Sequence, residues 1–119
     1  MRAFDRILAW LLVLGGVLHG VGSCLGYKHE PLTLLWALSA SLFNLETAAI
    51  NLLRARRPSD RPLAWIAFAG SLALAASAFA FGALIGNVLD VRALVNGFAA
   101  LALAGFSLKT ALGAVKGRA

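Results

Sequence analysis

Charge is scarce in this sequence: charged residues make up 13% of its 119 positions, and only five of them are acidic. A single cysteine, Cys24, excludes an intramolecular disulfide and a CxxC redox pair. A lone cysteine flanked by apolar residues is most simply a packing residue. No apolar run alternates with polar residues at period two, which excludes a membrane β-barrel. No glycine-rich phosphate loop follows a strand, no nucleophile, base and orienting group can be assembled, and no carboxylates are paired. The sequence therefore predicts no enzyme, no cofactor and no metal site.

What is present is hydrocarbon. Apolar residues reach 61%, and mean hydropathy is +0.83, outside the range of water-soluble domains. A helix needs roughly 20 apolar residues to cross a bilayer. Four runs meet that length, at 7–27, 32–53, 63–89 and 93–115. The breaks carry turn chemistry or charge: Lys28-His29-Glu30-Pro31, Arg54 through Arg61 with Pro58, and Asn87 to Arg92. Since lipid offers no hydrogen bonds, such runs must satisfy their own backbone as helices. The expected fold is all-α, one polytopic four-helix transmembrane bundle filling residues 1–119.

Basic residues set the expected orientation. The amino terminus, middle loop and carboxyl tail hold Arg2, Arg6, Arg54, Arg56, Arg57, Arg61, Lys109, Lys116 and Arg118, against Lys28 and Arg92 on the other side. Both termini are thus expected in the cytoplasm. The net charge of +6 is read as this signal rather than as a nucleic-acid footprint. Arg54, Arg56, Arg57 and Arg61 are also placed to contact anionic lipid headgroups, each worth about 1 kcal/mol near the surface. Arg2 and Arg6 before an apolar run, with Val21-Gly22-Ser23-Cys24 beyond, loosely resemble a lipoprotein signal; the length of the run favours a retained span. The Ala, Leu, Gly and Arg bias points to a multi-pass protein of a plasma membrane, specifically a bacterial inner membrane.

Small residues predict the packing. Ala93, Gly97, Ala100, Ala104, Ser107, Ala111 and Ala114 recur at steps of four and three, and Ser71, Ala75, Ala78, Gly82 and Gly86 form a matching stripe. Without a hydrophobic effect in lipid, such stripes let backbones approach and dispersion hold them. Spans three and four are therefore expected to pair closely. Small stripes also suit an interface with a second copy or a larger membrane protein.

The polar residues within the runs are the candidate sites. Glu46 interrupts the second run, where a carboxylate costs about 2.5 to 3.5 kcal/mol on insertion scales. Counting depth along antiparallel spans brings Ser71, Ser107 and Lys109 near its level, with Lys109 about three residues, roughly 4.5 Å, closer to the cytoplasm. The favoured expectation is an architectural lock; the alternative is an oligomeric proton-coupled small-solute carrier or channel centred on Glu46. Asn44, Thr47 and Asn51 make a second polar stripe on roughly the opposite face of the same span. Inter-helix hydrogen bonds are their simplest use. His19 lies with Ser23 and Gly26 on one face of the first span and is read as hydrogen-bonded rather than as a metal ligand, because the other histidine, His29, is about 15 Å further along. The leading functional expectation is an accessory or scaffold protein that packs against itself or larger membrane partners. A lipid-, quinone- or pigment-binding bundle is the further alternative.

Overall fold

A computed structural model describes residues 2–113, so Ala114 of the expected stripe and the basic tail residues Lys116 and Arg118 lie outside the described residues. Four helices follow in order: α1 Arg2–Gly26, α2 Pro31–Arg56, α3 Arg61–Leu84 and α4 Val91–Gly113. Each is long and apolar enough to cross a membrane. Helix starts carry the appropriate chemistry. Pro31 opens α2, where the missing N–H is an orphan in any case. The Asp60 carboxylate accepts from the Leu63 amide at 3.0 Å to cap α3. The Asp90 carboxylate accepts from the Arg92 amide at 2.9 Å and so caps α4 in the same manner.

The first helix begins at Arg2, ahead of the apolar run that starts at residue 7, and the third ends early. The third apolar run continues to Leu89, yet α3 stops at Leu84. Gly86 takes a positive φ of 73°, its amide reaches the Ala83 carbonyl at 3.1 Å, and the Asn87 amide reaches the Gly82 carbonyl at 2.9 Å. This pair of bonds is a Schellman C-terminus, which consumes the last carbonyls and turns the chain. Gly86 therefore serves the turn and not the packing stripe.

The helices form an antiparallel ring in which α1 packs mainly on α2, α3 packs mainly on α4, and α2–α3 and α1–α4 seams close the circle. The α3–α4 pairing follows the small residues. Ala93, Gly97, Ala100, Ala104, Ser107 and Ala111 are all buried, as are Ser71, Ala75 and Gly82. A Cβ on Gly82 would meet the Ala93 Cβ at 3.1 Å, which shows how near the two backbones lie. At Gly97 a Cβ would stand 2.6 Å from the Phe79 ring, itself edge-on to Phe98. Gly97→Ala therefore gains about 1 kcal/mol in helix propensity but must displace that ring, an overpacking cost of about 1 to 3 kcal/mol. A net loss of about 1 kcal/mol is expected in equilibrium unfolding in detergent.

Along its axis the bundle has three levels. At the level of the amino terminus and the α2–α3 turn lie buried polar groups, Asp5, Asn51, Arg54, Ser71 and Ser107. Leu8, Leu12, Ala48, Leu74, Ala100 and Leu103 form the apolar centre. Toward the other two turns the helices part around a cavity.

Candidate functional site

Helix α2 carries its buried polar residues on one face. Ser41, Asn44, Thr47, Asn51 and Arg54 follow one another at steps of three or four, and all are buried. A row of this kind must find partners, because an unpaired buried polar group costs about 1 to 3 kcal/mol. Asn51 is the hub. Its Nδ2 donates to Ser71 Oγ on α3 at 2.8 Å and to the Thr47 carbonyl at 2.9 Å. Its Oδ1 accepts from Ser107 Oγ on α4 at 3.1 Å and from Arg54 Nη2 at 3.2 Å. A single amide thus ties three helices.

Arg54 extends the network to the fourth. Its guanidinium is 2% exposed, and Nη2 donates to the carboxylate of Asp5 on α1, forming a buried ion pair. Nη1 reaches Thr110 Oγ1 at 3.4 Å, and that hydroxyl donates to the Phe106 carbonyl at 2.9 Å. The planar fork of arginine allows one side chain to serve several acceptors at once, which lysine cannot do. Arg54 therefore does not lie at a lipid surface as the sequence suggested. Burial among Asp5, Asn51 and Thr110 removes it from the headgroup-contact set. Arg56, Arg57 and Arg61 are exposed, and the Arg61 Nε donates to the Ala111 carbonyl at 3.1 Å near the end of α4.

Asp5 was not singled out in the sequence reading, because an acid between Arg2 and Arg6 looks like part of a charged flank. A signal was nevertheless present. Asp5 begins the spacing Asp5, Leu8, Leu12, Gly16 that α1 buries, and one further step along Asn44, Thr47, Asn51 arrives at Arg54. Antiparallel pairing then brings the two termini to one level.

Glu46 takes the opposite position. It lies exposed on the outer face of α2 and has no hydrogen-bond or ion-pair partner among the described residues. The lock expected around Glu46 is not what these serines build: Ser107 donates to Asn51, Ser71 accepts from Asn51, and neither reaches Glu46. Lys109 is exposed on α4, a helix that meets α2 only across the diagonal of the bundle. Glu46 shares its face with Leu32, Leu35, Ser39, Leu42, Ala49 and Leu53, all exposed, at alternating steps of three and four.

His19 is exposed on α1, with Ser23 Oγ donating to its backbone carbonyl at 2.7 Å. It borders the cavity at the parted end of the bundle, together with Asn44 and Asn96. Asn44 donates through Nδ2 to the Leu12 carbonyl at 2.8 Å, across the α1–α2 seam. Among the described residues, no three His, Cys, Asp or Glu side chains gather as a metal ion would require.

The charged turn before α4 holds another ion pair. Arg92 donates to both Asp90 carboxylate oxygens, at 3.0 and 2.9 Å, and these bonds lower the Asp90 pKa to about 2. A depressed carboxyl stabilises the fold above its ordinary value of 3.8 and loses that contribution only as pH falls through about 2. Amide exchange in the first turn of α4, corrected for intrinsic rate, is therefore expected to stay constant from neutral pH to about pH 4 and to rise toward pH 2.

Compared with protein-family models, curated proteins and solved structures, the chain matches none of them.

Proposed function

We propose that the protein is a multi-pass membrane protein of a bacterial inner membrane that acts as an accessory or scaffold, docking a second membrane helix along the outer face of α2. The observation that carries this reading is the position of Glu46, on the outside of the bundle and without a partner among the described residues. Facing hydrocarbon, that carboxylate costs about 2.5 to 3.5 kcal/mol, which a donor or cation on a neighbouring helix offsets. The face around it suits such a neighbour. Leu32, Leu35, Ser39, Leu42, Glu46, Ala49 and Leu53 keep a seven-residue repeat, the spacing of a left-handed helix pair, with Ser39 and Ala49 small enough for close approach.

The interior supports the same division of labour. The Asp5, Arg54 and Asn51 network closes the bundle on itself, so these three groups are committed to the fold while Glu46 is left for association. The bias of basic residues toward both termini and the α2–α3 turn favours a cytoplasmic location for that end. Trp10 and Trp65 flank it as exposed interfacial anchors, with Tyr27 and Trp36 at the opposite end.

Native mass measurement in a mild detergent tests the proposal. The wild-type chain is expected to travel as a complex, with its own copies or with a co-purifying partner. Glu46→Leu is expected to shift the chain to monomer with its own unfolding stability unchanged or raised. A wild-type chain that is strictly monomeric and partner-free contradicts the reading. The carrier alternative requires several copies to turn Glu46 toward a shared path, because the cavity within one chain does not include it. Substrate-dependent proton flux in liposomes, lost in Glu46→Gln, would favour the carrier over the scaffold.

A further inference from the structure

Helix α1 packs mainly on α2 and α4 mainly on α3, and a groove of about 580 Å³ is left between α1 and α4. That size falls within the roughly 300 to 1,000 Å³ of small-molecule sites. The register of its walls is set by Gly15, where a Cβ would stand 3.0 Å from Asn96 Oδ1. Because the two helices are antiparallel, His19, one turn or about 6 Å further along α1, comes to the level of Arg92 in the first turn of α4. Tyr27 borders the groove where α1 ends. Gly22, between His19 and Tyr27, keeps the space open, since a Cβ built on it touches nothing within 4 Å.

Polarity changes along the groove. Leu11, Gly15 and Val95 make its deep part apolar, and Asn96 there donates its amide to the Arg92 carbonyl at 3.0 Å. Toward the turns stand His19, Arg92 and Tyr27, which bring more donors than the chain brings acceptors. The His19 imidazole and the Tyr27 hydroxyl have no partner among the described residues. Arg92 gives Nε and Nη2 to Asp90, and its Nη1 donors stay open. Asp90 also cancels the guanidinium charge, so an occupant is recognised by the hydrogen bonds it accepts rather than by net charge. An acceptor-rich head on an apolar tail answers both parts of the groove.

We propose that the α1–α4 groove binds a phospholipid, whose phosphodiester oxygens accept from His19, Arg92 and Tyr27 while an acyl chain runs past Gly15 toward Leu11. The site uses no residue of α2 and stands apart from the association proposed above.

Three probes separate head from tail: dihexanoylphosphatidylcholine, dihexanoylglycerol, which lacks the phosphodiester, and glycerophosphocholine, which lacks the chains. Each is titrated into isotope-labelled protein in maltoside micelles while the backbone amides of Gly15 and Gly22 are followed. Saturable shifts are expected with the phospholipid, with the diglyceride weaker by about tenfold or more, the effect of losing hydrogen bonds to a charged acceptor. Glycerophosphocholine is expected to give no saturable shift. His19→Phe should weaken the phospholipid by about tenfold and leave the diglyceride unchanged, which a merely structural role for His19 does not produce. Gly22→Leu, read at Gly15, places a side chain in the open space and should weaken the phospholipid with all three donors still present. Equal affinity for phospholipid and diglyceride overturns the proposal, as does the absence of saturable binding or an unaltered phospholipid affinity in either variant. Saturation by glycerophosphocholine at the phospholipid's concentration also overturns it, because a soluble phosphodiester is then the occupant.

Discussion

Asp5→Ala is expected to destabilise the protein by about 3 to 5 kcal/mol, the largest loss of any single substitution outside the apolar centre. The reason is the charge left behind. Arg54 is 2% exposed and its guanidinium can neither leave the bundle cheaply nor lose its proton. Removing its carboxylate strands a buried cation, whereas removing both charges does not. The double variant Asp5→Leu with Arg54→Met is accordingly expected to be more stable than Asp5→Ala, because an apolar pair of similar volume often replaces a buried ion pair without loss. Equilibrium unfolding of the single and double variants in one detergent measures the coupling. If Asp5→Ala costs under about 1 kcal/mol, the ion pair is behaving as a solvated surface contact.

Asn51→Leu is the second large effect, at about 3 kcal/mol. Hydrogen bonds between membrane helices average only about 0.6 kcal/mol in double-mutant cycles, so Ser71→Ala or Ser107→Ala alone should cost about that much. Asn51 differs because its amide supplies both signs of partner. Its loss deprives Ser107 of an acceptor, Ser71 of a donor and the buried Arg54 of its second acceptor. A leucine cannot occupy the volume and answer those groups as well. Unfolding of the three variants should therefore rank Asn51→Leu far above either serine substitution; near-equal losses would show that the network carries no energy beyond its separate bonds.

The parts of this structure that were legible in the sequence are those written in a single period. The four runs gave the helices, and the three-four stripe of Ala93, Gly97, Ala100, Ala104 and Ser107 gave the α3–α4 seam, because close backbone approach needs small residues at that spacing. The opposition of Glu46 to Asn44, Thr47 and Asn51 was also readable. Which of those faces turns inward was not. In a helix that is apolar nearly all round, hydrophobic periodicity does not distinguish core from outer surface. The row of amides, each needing both donors and acceptors, claims the interior over a lone carboxylate, and Glu46 is left outside.

Arg54 shows a different obstacle. A basic residue at the end of an apolar run looks the same whether it anchors the run at the interface or folds back into the bundle. The distinction rests on Asp5, 49 residues away, and only the antiparallel pairing of α1 and α2 reveals it. The early end of α3 was hidden for a local reason: Ile85, Val88 and Leu89 continue the apolar composition, while the positive φ at Gly86 breaks the backbone.

The central claim is that another membrane helix covers the outer face of α2. Site-specific photo-crosslinking in native membranes tests it most directly, with a benzophenone amino acid placed singly at Leu42 or Ala49 beside Glu46, and at Leu72 or Leu101 on exposed faces of α3 and α4. The account predicts discrete protein adducts from positions 42 and 49, reduced by Glu46→Leu, and none from positions 72 and 101. Adducts confined to α3 and α4, or lipid-only products at every position, would contradict it.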